Sequence, residues 1–169
     1  MKKINFVIAV IFMCTLITTL IRAQEIDNKS WGLSVAIQEN QLDFLFPIWI
    51  TSNNVMAPGI GLIDIGGAGT DLRLGLVDRI YLNTNENIQP FIGGRGGIML
   101  AIPKDKGDTI IDYVFGLLGG GEYFFSNNFS VGIEAQLNVS ISEDRSNRFG
   151  NPGGTNINTA SVIFATIYF

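Results

Sequence analysis

The chain has 169 residues, the length of a single domain, and its 15 acidic residues outnumber its 11 basic ones. The formal net charge of −4 argues against a nucleic-acid-binding protein, because phosphates require a basic face. The sequence contains no histidine and one cysteine, which argues against the usual metal centres and against a histidine general base.

The N-terminal segment, residues 1–23, predicts a cleavable signal peptide. Lys2 and Lys3 precede an apolar stretch, residues 4–20, and Ala23 is a small residue at the cleavage position. The apolar stretch is shorter than the ~20 residues that a membrane-spanning helix needs. Export with cleavage is therefore preferred over a retained membrane anchor.

Cys14 lies within this segment, and the small residues that precede the cysteine of a lipoprotein signal are missing. Cleavage after residue 23 therefore leaves a chain without cysteine. In that chain 8 of the 11 basic residues remain against 15 acidic ones, a net charge of about −7. Residues 24–30 are expected to form a flexible lead-in to one domain that spans residues 31–169.

From residue 31 onward, apolar and polar residues alternate with the period of two that is typical of β-strands. Residues 129–142 show this best, with one apolar face, one polar or small face and a length of fourteen residues. Strands of soluble proteins are usually about 5–6 residues long, whereas a tilted strand that crosses a membrane needs about 9–11. Length and alternation together predict membrane-spanning strands.

Eight strands are predicted in this way. In chain order they cover residues 31–39, 41–50, 55–66, 70–83, 89–102, 109–124, 129–143 and 155–169. The second, fourth and sixth connections are short and rich in asparagine, whereas the others, except the short one at 38–41, are mostly longer and more charged. Bacterial barrels have short periplasmic turns and longer outer loops, so this alternation places both ends of the barrel chain on the periplasmic side. The predicted fold class is all-β: an eight-stranded antiparallel up-and-down transmembrane β-barrel.

The last strand is unusually apolar and ends on an aromatic residue. Its final residues, Ile167, Tyr168 and Phe169, are predicted to be the signal that the barrel assembly machinery reads. Alternation directs Ile163, Ala165 and Ile167 towards lipid and Phe164, Thr166 and Tyr168 towards the lumen. The lumen beside this strand is therefore expected to be plugged rather than wet.

Four charged residues on consecutive strands are predicted to point into the lumen at similar depth: Arg79, Arg95, Glu122 and Glu134. A second predicted set nearer the outer mouth comprises Asp43, Asp64, Asp112 and Arg73. An eight-stranded barrel has an interior just wide enough for side chains to fill, so ionised groups there must pair or accept hydrogen bonds. The expected role is to fill and rigidify the lumen. The alternatives are a gated pore or proton-coupled site, and acid–base chemistry by the two glutamates.

Three further features carry predictions. Asp78 breaks the apolar outward face of its strand, which indicates either a bulge near Val77 or a position at the periplasmic rim. The glycine-rich segments 93–97 and 119–121 do not match phosphate-binding loops, because strand residues flank them and no helix follows. Aromatic residues near the strand ends predict an interfacial girdle: Trp31, Trp49, Tyr81, Phe91, Tyr113, Tyr123, Phe124, Phe125, Phe129, Tyr168 and Phe169.

The chain resembles small bacterial outer-membrane β-barrel proteins of the OmpA-like and OmpX-like kind, and more specifically the porin-family outer membrane protein β-barrel domain. The resemblance is carried by the segments 46–50 (FPIWI), 57–61 (APGIG), 89–94 (QPFIGG), 119–125 (GGGEYFF), 127–134 (NNFSVGIE) and 167–169 (IYF). It implies an integral outer-membrane barrel without a cofactor. These motifs are patterns of strand and turn, so the resemblance implies the fold far more than any activity.

The sequence therefore predicts a non-enzymatic barrel of the bacterial outer membrane. Its expected role is in envelope structure or in surface interaction through the outer loops, chiefly residues 143–154 and 103–108, and the alternative is a narrow, porin-like solute or ion channel. The expected partners are outer-membrane lipid, the assembly machinery and a possible surface ligand, with no nucleic acid and a monomeric state. A soluble lipocalin-type barrel is disfavoured, since it would be apolar inside and polar outside, and an enzyme is disfavoured by the absence of histidine.

Overall fold

The computed structural model describes residues 31–38, 41–65, 69–83, 86–104 and 107–169, without the side chains of residues 62–65 and 69. The predicted signal peptide and lead-in lie outside the described residues. The strands are β1 (Gly32–Gln38), β2 (Gln41–Leu45), β3 (Ile48–Trp49), β4 (Asn54–Ile65), β5 (Gly69–Tyr81), β6 (Ile88–Pro103), β7 (Ile110–Ser126), β8 (Phe129–Ile141) and β9 (Thr155–Tyr168). The described residues contain no helix that is long and apolar enough to cross a membrane.

The sheet closes into a barrel. Each strand from β4 to β8 pairs antiparallel with the next one along the chain, β9 pairs with β1 from Gly32↔Tyr168 to Ile37↔Ile163, and β1 pairs with β2. β2 and β3 both pair with β4 and together form one stave, so eight staves close the sheet. The predicted eight-stranded antiparallel barrel is confirmed. It leaves no open sheet edge between first and last strand, as a membrane-spanning sheet requires.

The two ends of the barrel differ in their connections. The end at which β1 begins and β9 ends, called the terminal end below, has the short turns 50–53, 82–87 and 127–128. The opposite end, called the loop end, carries the longest connection, 142–154, together with the connections 39–40, 66–68 and 104–109. By the rule that periplasmic turns are short, the terminal end faces the periplasm.

The second predicted strand is interrupted, which the alternation pattern did not indicate. Phe46 and Pro47 separate β2 from β3, because proline has no N–H to donate to a neighbouring strand. The backbone there remains hydrogen-bonded: the Phe46 N–H donates to the Pro58 carbonyl at 2.8 Å, and the Pro47 carbonyl accepts from Gly32 N–H at 2.8 Å. The interruption therefore changes the pairing locally without opening the barrel.

The barrel is polar inside and apolar outside. On β8, Glu134 and Gln136 are buried, whereas their neighbours Ile133 and Leu137 are 59% and 49% exposed. Exposed large apolar side chains occur on every stave, including Leu42, Ile60, Leu74, Ile92, Leu117, Ile157, Ile163 and Ile167. Monomeric soluble proteins rarely expose a continuous apolar surface of this kind. Lipid is the environment that matches it.

The last strand follows the predicted alternation. Ile163 and Ile167 are 58% and 51% exposed, whereas Phe164, Thr166 and Tyr168 are each about 1% exposed and lie in the lumen. This confirms both the predicted faces of β9 and the plugged lumen beside it.

Glycine makes room for the aromatic rings inside the barrel. A Cβ atom added at Gly132 would lie 2.2 Å from the Phe164 ring, and one at Gly120 would lie 2.8 Å from the Phe91 ring. Small residues on β7 and β8 therefore let two large rings enter a narrow lumen. The glycine-rich segments lie within β6 and β7, as expected for strands rather than phosphate loops.

Candidate functional site

The terminal end of the lumen is filled by aromatic side chains. They form what we call the aromatic plug: Trp49, Tyr81, Phe91, Phe124, Phe164 and Tyr168. The rings of Trp49 and Tyr81 stack at 5.1 Å between centroids, and those of Phe124 and Tyr168 stack at 5.9 Å. Phe91 packs edge-on against Tyr81 at 5.6 Å. The plug occupies the cross-section of the barrel at this level.

The predicted aromatic girdle is therefore wrong for five of its residues. Trp49, Tyr81, Phe91, Phe124 and Tyr168 belong to the plug, because strand alternation turns them inward. The other six are exposed: Trp31, Tyr113, Tyr123, Phe125, Phe129 and Phe169. Five of these lie at the terminal end, and Tyr113 lies towards the loop end. They have the position expected of an interfacial anchor.

Glu122 lies within the plug and is fully buried. Its carboxylate accepts hydrogen bonds from the hydroxyl groups of Tyr81 and Ser130, and from that of Tyr168 at 3.1 Å. A buried carboxylate without such donors would be costly. The three hydroxyl groups therefore satisfy Glu122 inside the plug and hold the rings in place.

Arg79 and Glu134 form a buried ion pair directly above the plug. Nη2 and Nε of Arg79 lie 3.0 and 3.1 Å from Oε2 of Glu134, and both side chains are at most 2% exposed. The guanidinium lies 4.0 Å from the centroid of the Phe164 ring and 5.2 Å from that of Phe91, which adds cation–π contacts. Gln136 donates to the other Glu134 oxygen at 2.5 Å. Both members of the pair are satisfied by protein groups.

Arg95 and Arg73 lie further towards the loop end. Nη1 of Arg95 donates to the amide oxygens of Gln136 and Gln38, the latter at 3.3 Å. Arg73 pairs with Asp43 at 2.8 Å. These side chains and their neighbours in the central lumen line a cavity of about 50 Å³, which has room for on the order of three water molecules.

The four predicted lumen residues are inside the barrel, and three of them are linked: Arg79 pairs with Glu134, and Gln136 connects Glu134 to Arg95. Glu122 is bonded instead to hydroxyl groups in the plug, and Arg95 also reaches the amide oxygen of Gln38. The linked network therefore extends along the barrel axis from the plug towards the loop end.

The connection 142–154, called the outer loop below, folds over the mouth of the barrel at the loop end. Arg148 donates from Nε to Asp112 at 3.0 Å and from Nη1 and Nη2 to Asp71 at 2.5 and 3.1 Å. Ser146 donates to Asp112 at 2.7 Å, and the backbone N–H of Glu143 donates to Asp112 at 3.0 Å. This group, Asp71, Asp112, Ser146 and Arg148, is called the mouth latch below.

Burial opposes the charge of Arg148, but the hydrogen bonds to Asp71 and Asp112 outweigh it. The net result is that the pKa of the Arg148 guanidinium is raised above its usual value. The cation is therefore held in its charged form between the two carboxylates.

The sequence pattern found only part of this latch. Asp112 belonged to the second predicted set, as did Asp43, which pairs with Arg73. The Asp64 side chain lies outside the described residues, and its backbone pairs with Thr70. Asp71 shares the inward face of β5 with Arg73 and could have been found by alternation. Arg148 carries no such signal, because a loop has no periodic pattern.

A second, exposed network braces the outer loop from outside. Arg145 donates to Glu143 at 2.8 Å and to Asp108 at 3.0 Å, and the Ile111 N–H donates to Glu143 at 3.0 Å. The hydrogen bond from the Ile111 backbone, followed by the contact with Arg145, lowers the pKa of the Glu143 carboxyl below its usual value. The network links the outer loop to the connection before β7.

Asp78 lies at the terminal rim of the barrel. It accepts a hydrogen bond from the Asn54 side chain at 2.7 Å. Its pairs with Met56 and Gly94 are in unshifted register, so the bulge reading is wrong and the rim reading holds. A charge at the rim can reach the headgroups and water at little cost.

The closed barrel is similar in fold to solved structures. Neisserial surface protein A aligns with a TM-score of 0.53 at 14% identity, over 82% of this chain and 93% of that one. The chain folds as a small outer-membrane β-barrel. The N-terminal β-barrel domain of Pseudomonas aeruginosa OprF aligns with a TM-score of 0.50 at 13% identity, over 82% of this chain and 95% of that one. At these identities the likeness is one of fold.

No family model and no curated protein matches the sequence. The apolar exterior and the closed sheet place the barrel in the bacterial outer membrane, the membrane that holds barrels of this kind. Within the described part of the chain, no three acidic, histidine or cysteine side chains converge as they would around a metal ion.

Proposed function

We propose that this protein is a non-enzymatic outer-membrane barrel that contributes to envelope structure and to surface interaction through its outer loops. The observation that carries the proposal is the occlusion of the lumen at both ends. The aromatic plug fills the terminal end, and the mouth latch draws the outer loop across the loop end. A barrel occupied by its own side chains leaves its external surfaces as the working parts.

The buried carboxylates support a non-enzymatic role. Glu122 accepts three hydroxyl hydrogen bonds, and Glu134 is paired with Arg79 and bonded to Gln136. A general acid or base must come within hydrogen-bond reach of the group it protonates or deprotonates. Neither carboxylate has a free approach from water, since each is at most 1% exposed.

The outer loop has the features of a preformed recognition surface. Backbone hydrogen bonds of 2.9 to 3.1 Å close its turns, and Gly150 and Gly153 adopt positive φ angles of 70° and 68°. Its exposed residues include Asp144, Arg145, Asn147, Asn151 and Pro152. A loop that is ordered before it meets a partner loses less conformational entropy on binding. On this proposal the partners are outer-membrane lipid, the assembly machinery and a surface ligand of the loops, and the barrel is a monomer.

The test is to replace residues 145–153 with a short glycine-containing turn and to measure cell adhesion and detergent sensitivity. We expect reduced adhesion or increased sensitivity, while the unboiled protein keeps the faster gel mobility of an assembled barrel. The matched control is Glu86→Gln, which alters one exposed side chain in a turn at the terminal end and should leave both readouts unchanged. An assembled deletion variant with unchanged adhesion and unchanged detergent sensitivity would contradict the proposal.

A narrow channel is the second candidate, and the cavity bordered by Arg73 and Arg95 is the observation in its favour. A conducting lumen would require the plug and the latch to move. Planar-bilayer conductance that changes in Arg95→Ala or Glu134→Ala would support the channel. Silence of the wild-type protein in bilayers would count against it.

A further inference from the structure

The outer loop crosses the barrel mouth from one side to the other. It connects β8 to β9, whereas Asp71 lies on β5, four staves away from β9 in the eight-stave barrel. Asp112 lies on β7, between these positions. Because β5 and β9 are on opposite sides of the barrel, the outer loop together with the Arg148 side chain reaches across the opening. We propose that the outer loop is a lid, latched by Arg148 on Asp71 and Asp112, that controls access from outside to the lumen cavity.

The mouth latch combines directional hydrogen bonds with side chains that are partly exposed to solvent. The side chains of Arg148 and Asp71 are 17% and 13% exposed, whereas the Asp112 side chain is fully buried. Arginine in a planar, two-oxygen contact with a carboxylate gives a directional hydrogen-bonded pair. One cation is shared by two carboxylates, and when it leaves, water at the mouth can hydrate Asp71 while Asp112 keeps the Glu143 N–H as a donor. The arrangement favours reversible opening more than a deeply buried pair would.

The base of the loop is anchored by hydrogen bonds that do not involve Arg148. The Ser142 N–H donates to the Gly154 carbonyl at 2.9 Å, which extends the β8–β9 pairing beyond the strands. Gly150 and Gly153 lie between Arg148 and this base, and their positive φ angles are open to glycine with little strain. The segment that carries Arg148 can therefore move while the base stays paired.

The lid covers a pocket and not a pore. Beneath the latch, the cavity of about 50 Å³ is lined by Ala36, Arg73, Arg95 and Val114, among others. Below this cavity, the Arg79–Glu134 pair and the aromatic plug close the lumen. An open lid would therefore connect the cavity to the outside and leave the terminal end shut. This inference goes beyond the proposed function, since it concerns the interior of the barrel and not its outer surface.

The experiment measures access to one cysteine placed in the cavity. Val114 is 5% exposed and lines the cavity, and Cys14 is the chain's single cysteine, so Cys14→Ser with Val114→Cys gives one reporter thiol. Cells that display this variant are treated with a small, water-soluble methanethiosulfonate reagent, and the labelling rate is followed by mass. We expect slow labelling in this background and labelling about 10-fold faster or more when Arg148→Gln is added.

Arg145→Gln is the matched control, because Arg145 lies on the same loop but makes only exposed contacts with Glu143 and Asp108 in the described structure. It should leave the labelling rate within about twofold. An unchanged rate in an assembled Arg148→Gln variant would overturn the lid, and so would an equal increase in Arg145→Gln. If Val114→Cys does not assemble, Ala36→Cys is the second reporter position. The adhesion test and the labelling test have independent outcomes, so either proposal can be contradicted while the other is supported.

Discussion

Two arginine–carboxylate pairs, one deep in the barrel and one at its mouth, use the same chemistry to different effect. Arg79 and Glu134 are both held on strands, are at most 2% exposed and pack against the rings of the plug. Arg148 extends from a loop to Asp71, and both side chains keep contact with water. The comparison teaches that burial and the stiffness of the supporting backbone decide what an ion pair does. On strands it fixes the interior, and on a loop it forms a latch.

The largest expected effect comes from the terminal end, where deletion of Phe169 should prevent assembly of most of the protein. The Phe169 ring stacks on Trp31 at 4.7 Å, and its N–H donates to the Trp31 carbonyl at 2.9 Å, next to the seam where β1 meets β9. The measurement is the fraction of heat-modifiable protein in the outer membrane. Phe169→Tyr keeps the aromatic end and should assemble. A deletion variant that assembles fully would show that Phe169 is not needed as an assembly signal.

The next largest effect tests the deep pair. Arg79→Ala should lower the free energy of unfolding by about 3–5 kcal/mol, because it leaves Glu134 buried without its cation. Urea unfolding in detergent micelles, followed by tryptophan fluorescence, measures the loss. The double variant Arg79→Met with Glu134→Met should recover most of it, since no unpaired charge remains. If the double variant is as unstable as the single one, the pair is not the source of the stability.

A smaller effect is expected at the mouth. Arg148→Gln should lower the free energy of unfolding by about 1 kcal/mol, because Asp71 can be hydrated once the loop moves. The same urea titration measures it, and Arg145→Gln provides the exposed reference. A loss as large as that of Arg79→Ala would contradict the distinction between a fixed interior and a releasable latch.

The smallest effect is a pH dependence of the outer loop. The folded-state pKa of Glu143 is lowered, so its contribution to loop stability is present above its ordinary value of 4.5 and is lost as the pH falls through the folded value. The Ile111 amide resonance in a micelle NMR spectrum should therefore titrate with a midpoint below 4.5. Glu143→Gln should abolish that titration. A midpoint at or above 4.5 would show that the Ile111 hydrogen bond does not hold the carboxylate.

The strands and their faces could be predicted from the sequence because a period of two assigns each residue to one side of a sheet. Phe164, Thr166 and Tyr168 were assigned to the lumen in this way and are buried there. The prediction of an aromatic girdle was wrong for residues such as Tyr81 and Phe91, because it used their position near a strand end instead of the alternation. Distance from a strand end does not determine which face a side chain occupies.

Which inward side chains contact each other could not be predicted without the register between the strands. Alternation directed Arg79, Arg95, Glu122 and Glu134 inward, but only the closed barrel decides that Arg79 meets Glu134 while Glu122 meets hydroxyl groups. Contacts across a barrel depend on shear and on the size of every other side chain at that level. No local pattern in the chain contains that information.

The sequence by itself determined an all-β chain of eight membrane-crossing strands, because alternation, strand length and turn composition are local properties. Only the tertiary structure decided that the second predicted strand is divided into β2 and β3 at Pro47, that six rings plug the terminal end, and that Arg148 closes the mouth on Asp71 and Asp112. The reason is physical. Alternation follows from the geometry of one extended strand, whereas these features arise from groups that are brought together only when the barrel closes.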